Sequence, residues 1–132
     1  MDSKYTLGIS ELDSQHEAIE TDFLAFREAL ADKDRWNDLP NILEDLYEKL
    51  KFHFHAEESI MQIFAYPEAL EHKKSHLEIL KSVEAHKNKK LSDTDIDKLR
   101  DQPMQLFLEQ ILSQDMRFSA FIQKSKDRLG IQ

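Results

Sequence analysis

The stretch His53 to His76, HFHAEESIMQIFAYPEALEHKKSH, decides how this chain is read. His53, Glu57 and Met61 stand at i, i+4 and i+8, a spacing that stacks them on one face of a helix. A break follows at Tyr66-Pro67, after which His72 and His76 repeat the i, i+4 spacing. Each pair can reach a common point, and together they form half of a metal site.

The helices that carry this stretch extend in both directions. Upstream, Leu39, Leu43, Leu46, Leu50, His53, Glu57, Ile60 and Phe64 alternate steps of four and three, the rhythm of a packed helix seam. Pro40 suits the first turn of that helix, where its missing N–H costs nothing, and the helix is expected to run to about Ala65. Downstream, Ala69, His72, His76, Ile79, Val83 and His86 keep the same rhythm. The lysine-rich run Lys87 to Lys90 suits a helix C-terminus.

The ends of the chain supply two more helices. Ser10 is the expected N-cap of the first, with Asp13 three residues on, and Leu12, His16, Ile19, Phe23, Phe26 and Leu30 form its seam. The polar segment Asp32 to Asp38 is a turn. Ser92 to Arg100 reads as a short helix or an ordered linker. Pro103 is expected to open the last helix, whose seam is Leu108, Ile111, Asp115, Phe118 and Ile122, with Gly130 as its stop.

The 132 residues, 40% apolar and 33% charged, suffice for one domain with a real core. Two glycines and three prolines leave few turns, so the elements are long. The expected fold is all-α: an up-down-up-down antiparallel four-helix bundle with a short N-terminal arm, a single domain over residues 1–132.

Six seam positions that should hold Leu or Ile hold His16, His53, Glu57, His72, His76 and Asp115 instead. With a rise of about 1.5 Å per residue, Glu57 and His76 both lie roughly 14 Å from the turn between them. His16 and His53 likewise lie roughly 23 Å from the Asp32–Asp38 turn. Ligands from three helices thus share one layer, and Asp115 on the fourth can join them. A single core histidine bonded to a nearby carbonyl would be unremarkable. Two carboxylates among four histidines need compensation, which two divalent or trivalent cations supply.

Other polar residues read differently. His55 points away from the site and is expected in solvent. His86 lies about 15 Å along the axis from His76, too far to share an ion. Glu44-Asp45 and Glu58 are expected on solvated faces, and Met61 and Phe64 in the core.

Composition removes several function classes. Without cysteine there are no disulfides, thiolate-bound metals, iron–sulfur clusters or cysteine nucleophiles. A net charge of −8, with no basic patch interleaved with aromatics, argues against nucleic acid. No apolar run approaches the roughly 18 residues of a membrane span, and the start MDSKYTLGIS has no apolar signal segment. A soluble, cytoplasmic protein is expected.

With these motifs in place, the chain resembles the hemerythrins, most closely their bacterial form. Leu7 to Asp115 match in order and spacing: LGISELDSQH, HFHAEESIM, YPEALEHKKSH and QILSQD. The resemblance implies a four-helix bundle and a non-haem di-iron site. His16 and His53 would hold one iron and His72 and His76 the other. Glu57 and Asp115 would bridge them, together with a solvent-derived oxo or hydroxo group, and dioxygen would bind the iron left with an open position.

One departure stands out: where hemerythrins have a histidine five residues before the bridging aspartate, this chain has Gln110. The change falls on the iron of His72 and His76. A neutral amide oxygen is a weaker ligand than imidazole, so Gln110 is expected to ligate poorly, hold a water or leave an open position. On an α-helix five residues is 140°, so spacing alone does not mark Gln110.

The resulting expectation is a di-iron domain that binds dioxygen, peroxide or nitric oxide as carrier, scavenger or redox sensor. Two alternatives accompany it: a sensor module acting on a fused or associated signalling domain, and a di-iron enzyme that reacts with peroxide. The nitrogen and oxygen donor set would also accept zinc or manganese.

Overall fold

A computed structural model of the chain describes residues 2–87 and 96–130. Five α-helices make up the described fold: α1 (Ser10–Ala31), α2 (Leu39–Ile63), α3 (Ala69–Lys87), α4 (Ile96–Gln110) and α5 (Met116–Leu129). A π-helical turn, Ile111–Asp115, joins α4 to α5, so these two form one continuous rod. α2 packs on α1, α3 on α2, and α4 closes the ring against both α3 and α1. The result is an all-α bundle, with no strand among the described residues.

The α1 seam is buried as its periodicity predicts, from Leu12 through Leu30. Ser10 is not the cap, however. Ile9 holds that position, and Ser10 is the first helical residue. Asp13 reaches back instead to accept the backbone N–H groups of Leu7 (2.8 Å) and Gly8 (3.1 Å). Ser119 Oγ donates to the Leu7 carbonyl at 2.6 Å, so the N-terminal arm is tied at both sides.

The Asp32–Asp38 turn is a short 3-10 helix, Lys33–Asp38, whose N-terminus is capped by the Asp32 carboxylate accepting from Asp34 N. Pro40 sits in the first turn of α2 as expected. Beyond Glu57 the α2 seam departs from its expected course. Met61 is fully buried, while Ile60 and Phe64 are half-buried. A straight helix of 3.6 residues per turn drifts away from a strict alternation of three and four, so the second step after His53 is again four.

The end of α2 is closed by paired bonds from Ala65 N to Gln62 O (3.2 Å) and from Tyr66 N to Met61 O (2.9 Å). This is the arrangement in which the residue beyond the helix takes the left-handed conformation. Here that residue is Ala65, at φ 52. Its Cβ costs roughly 1 kcal/mol there, which glycine would not incur. Ala65→Gly should therefore raise the melting temperature by about 3–5 °C in a thermal unfolding scan.

Pro103 does not open the last helix. The helix begins at Ile96, and Pro103 lies inside it. The lost backbone bond costs on the order of 3 kcal/mol in an isolated helix, but tertiary burial decides here. Phe107 and Ile111 are completely buried and anchor the segment. Phe107 takes the seam place expected for Leu108, which is half-buried. The helical part of the Ser92–Arg100 expectation joins α4 from Ile96 onward. Residues 92–95, like Lys89 and Lys90, lie outside the described residues. Gly130, at φ 72, ends α5.

Candidate metal centre

The six expected side chains converge in one layer of the bundle. His16 comes from α1, His53 and Glu57 from α2, His72 and His76 from α3, and Asp115 from the π turn. None is more than 2% exposed.

Their donor atoms form two overlapping groups, His16/His53/Glu57/Asp115 and Glu57/His72/His76/Asp115. Within each group the atoms lie within 4.8 Å of one another, and Glu57 and Asp115 belong to both. In the first, His16 Nε2 is 2.8 Å from His53 Nε2 and 3.4 Å from Asp115 Oδ2. His53 Nε2 is 3.3 Å from Glu57 Oε1. In the second, His72 Nε2 lies 2.6 Å from Asp115 Oδ1, and His76 Nε2 lies 3.3 Å from Glu57 Oε1.

These separations match donors arranged around a common cation. Two donors at right angles, each about 2.1 Å from one ion, stand about 3 Å apart. The hydrogen-bond account fits less well. Both oxygens of Glu57, both of Asp115, and Nε2 of His72 and His76 are buried without a properly directed hydrogen bond among the described residues. Native interiors leave only a few such groups scattered through a whole domain, not six in one layer. The orphaned lone pairs aim at shared points rather than at hydrogens, so the residues fit a pair of cations.

Two neighbours fix the ring orientations. His53 Nδ1–H donates to Gln15 Oε1 at 2.6 Å, and His76 Nδ1–H donates to Glu58 Oε2 at 3.0 Å. In the neutral tautomer each ring then turns an Nε2 lone pair into the site. Phe54 stacks flat on His76, with centroids 3.9 Å apart and planes at 9°. Phe107 meets His16 edge-on at 5.5 Å.

The charges are strongly coupled. Burial opposes ionisation of Glu57, yet His53 and His76 beside it outweigh that and hold its carboxyl well below the usual carboxylate range. Burial likewise opposes protonation of His76, but Glu57, and then Glu58, raise its pKa above the ordinary imidazole value.

Three residues escaped the sequence reading. Glu58 is half-buried and engaged with His76, not on a solvated face. Gln15 and Phe54 each follow or precede a seam residue, and only the packed structure shows them turned toward the imidazoles. Gln110, marked in the sequence by the resemblance and not by spacing, is a different case. The π turn closes with Met116 N–H donating to Ile111 O, five residues back. Five residues is then about one turn, so Gln110 and Asp115 are both buried, at 5% and 0% exposure. His55 is exposed as expected, and His86 is buried further along α3.

A neutral substitution at Glu58 leaves the ring contacts in place and weakens only the acceptor. Glu58→Gln should lower metal affinity about 10- to 100-fold, measured by competition with a coloured chelator. An unchanged affinity would show that Glu58 does not support His76.

A helical bundle enclosing two shared, buried sets of imidazole and carboxylate donors defines a cation-binding domain. The chain belongs to the hemerythrin family: the model for the hemerythrin HHE cation binding domain matches residues 7–123. No curated protein and no solved structure gives a significant match. No helix among the described residues is long and apolar enough to cross a membrane.

Proposed function

We propose that this domain holds two iron ions and binds dioxygen, or a related small ligand such as peroxide or nitric oxide, as a carrier, scavenger or sensor. In this reading residues 1–132 form a single cytoplasmic domain whose helices alternate in direction. His16 and His53 hold one ion, His72 and His76 the other, and Glu57 and Asp115 serve both. The observation that carries the reading is the pair of donor groups sharing two carboxylates whose four oxygens are buried without a directed hydrogen bond among the described residues.

When bound, the irons supply two adjacent one-electron redox centres within reach of a single small molecule. The chain does the rest. Glu57 and Asp115 offset the cationic charge, while Gln15 and Glu58 keep the His53 and His76 rings turned inward. Phe54, Phe107 and Phe118, all fully buried, exclude bulk water and so strengthen every charge interaction in the layer.

Iron loading of the full chain, followed by metal analysis and spectra of the reduced protein titrated with dioxygen, tests the proposal. About two irons per chain and an oxygen-dependent absorption change are expected. Less than one iron per chain, or spectra indifferent to oxygen, would overturn it.

A further inference from the structure

A small pocket of about 170 Å³ lies between α3 and the π turn, beside the donor layer but containing none of its six residues. Its polar lining comes from Ser75, Glu78, Glu109, Gln110, Ser113 and Gln114. Ser75 is the chain neighbour of His76, and Gln114 that of Asp115.

Gln110 is 95% withdrawn from solvent, and neither its Oε1 nor its Nε2 has a hydrogen-bond partner among the described residues. Gln114 Oε1 is also buried and unpaired. Other polar groups of the lining are already engaged: Ser113 Oγ donates to the Glu109 carbonyl, and the Glu109 carboxylate accepts from Gln105. Two amide oxygens and one amide NH₂ therefore call for a partner that both donates and accepts.

The pocket volume could hold about five waters. Two bordering glutamates and the net charge of −8 disfavour an anion.

We infer that this pocket is a polar inlet, which binds a neutral hydrogen-bonding molecule the size of water or hydrogen peroxide and passes it to the ion held by His72 and His76. The inference rests on the metal reading above. Gln110 acts there as donor and acceptor to the incoming molecule.

Manganese(II)-loaded full-length chain provides the test, by metal analysis and by water-proton magnetic relaxation per bound ion. Gln110→Leu removes the amide, and Ser75→Leu fills the pocket from its half-buried α3 wall while leaving Gln110 intact. Each variant should lower the relaxation enhancement roughly threefold or more at unchanged metal content and helicity. Iron(II)-loaded Ser75→Leu should also be oxidised about tenfold more slowly by hydrogen peroxide, with its reaction toward dioxygen unaltered. A relaxation effect without a peroxide effect supports the inlet with water as its occupant. Two manganese ions per chain with equal relaxation in all three proteins would overturn the inlet alone. Less than one iron per iron(II)-loaded wild-type chain would overturn the metal reading and the inlet together.

Discussion

The double variant His53→Leu/Glu57→Leu should lose its metal entirely and yet, once both proteins are metal-free, melt at or above the temperature of the unaltered chain. Metal loss follows from the donor sets. Glu57 belongs to both groups and His53 to one, so neither group would keep the four donors proposed to hold an ion. The stability outcome is less intuitive. Without cations, the layer gathers two carboxylates and four imidazoles at no more than 2% exposure, and most of their inward atoms lack a directed bond. Replacing buried ionic groups by well-packed apolar residues of similar volume is commonly neutral or stabilising by about 1–4 kcal/mol. The neighbours already suit leucine, because Leu50, Phe54 and Met61 on the same helix are buried hydrocarbon.

Single variants sharpen the point. His53→Leu alone leaves the Glu57 carboxylate with one fewer imidazole to answer it. The single variant should then be less stable than the double, a non-additivity expected of residues in one network. Denaturant unfolding of the four metal-free proteins measures it. A double variant several kcal/mol less stable than the parent would mean that the layer is held together by its own hydrogen bonds, and the case for cations would fail.

How much of this was legible in the sequence depends on what kind of feature is asked about. The bundle and the convergence of the six polar seam residues follow from heptad-like spacing and from equal distances to the turns, because an α-helix converts residue counts into heights. His16 and His53 were matched in level by that arithmetic, and their Nε2 atoms lie 2.8 Å apart. The same arithmetic misplaced whatever departs from a regular α-helix. Pro103 reads as a start signal because its local cost is high, but burial of Phe107 holds the helix through it. Gln110 reads as facing away because 3.6 residues per turn were assumed, and the π turn changes that number within the one segment that carries Asp115. Glu58 and Gln15 carry no signal in the sequence because a half-buried polar neighbour of a seam residue has the same pattern as a solvated one. Such partners are set by side-chain reach across helices, which periodicity does not encode.

The gap in melting temperature between metal-loaded and metal-free protein should widen as pH rises from about 6 to 8. In the metal-free state two coupled groups set the trend. Glu57 has its pKa lowered from an ordinary 4.5, so its contribution is present above that value and is lost as acid protonates it. His76 has its pKa raised from 6.5. Its contribution is complete below 6.5 and is lost as pH climbs through the higher folded-state value. Metal-free protein should thus be most stable between about 4.5 and 6.5 and weaken on the alkaline side. The loaded protein follows the opposite course. A cation needs the imidazole lone pairs, so protons compete with it, and its affinity rises with pH until the ligands are deprotonated. Ligand binding to the folded state adds RT ln(1 + [L]/Kd), about 4 kcal/mol at a thousandfold excess over Kd. For a chain of this size that corresponds to a gap of very roughly 12–20 °C at pH 8, shrinking toward pH 6. Paired thermal scans with and without a chelator, at fixed ionic strength, measure it. A gap that stayed constant with pH would show that the imidazoles do not exchange protons for metal, and a gap that narrowed toward pH 8 would contradict ligation by histidine altogether.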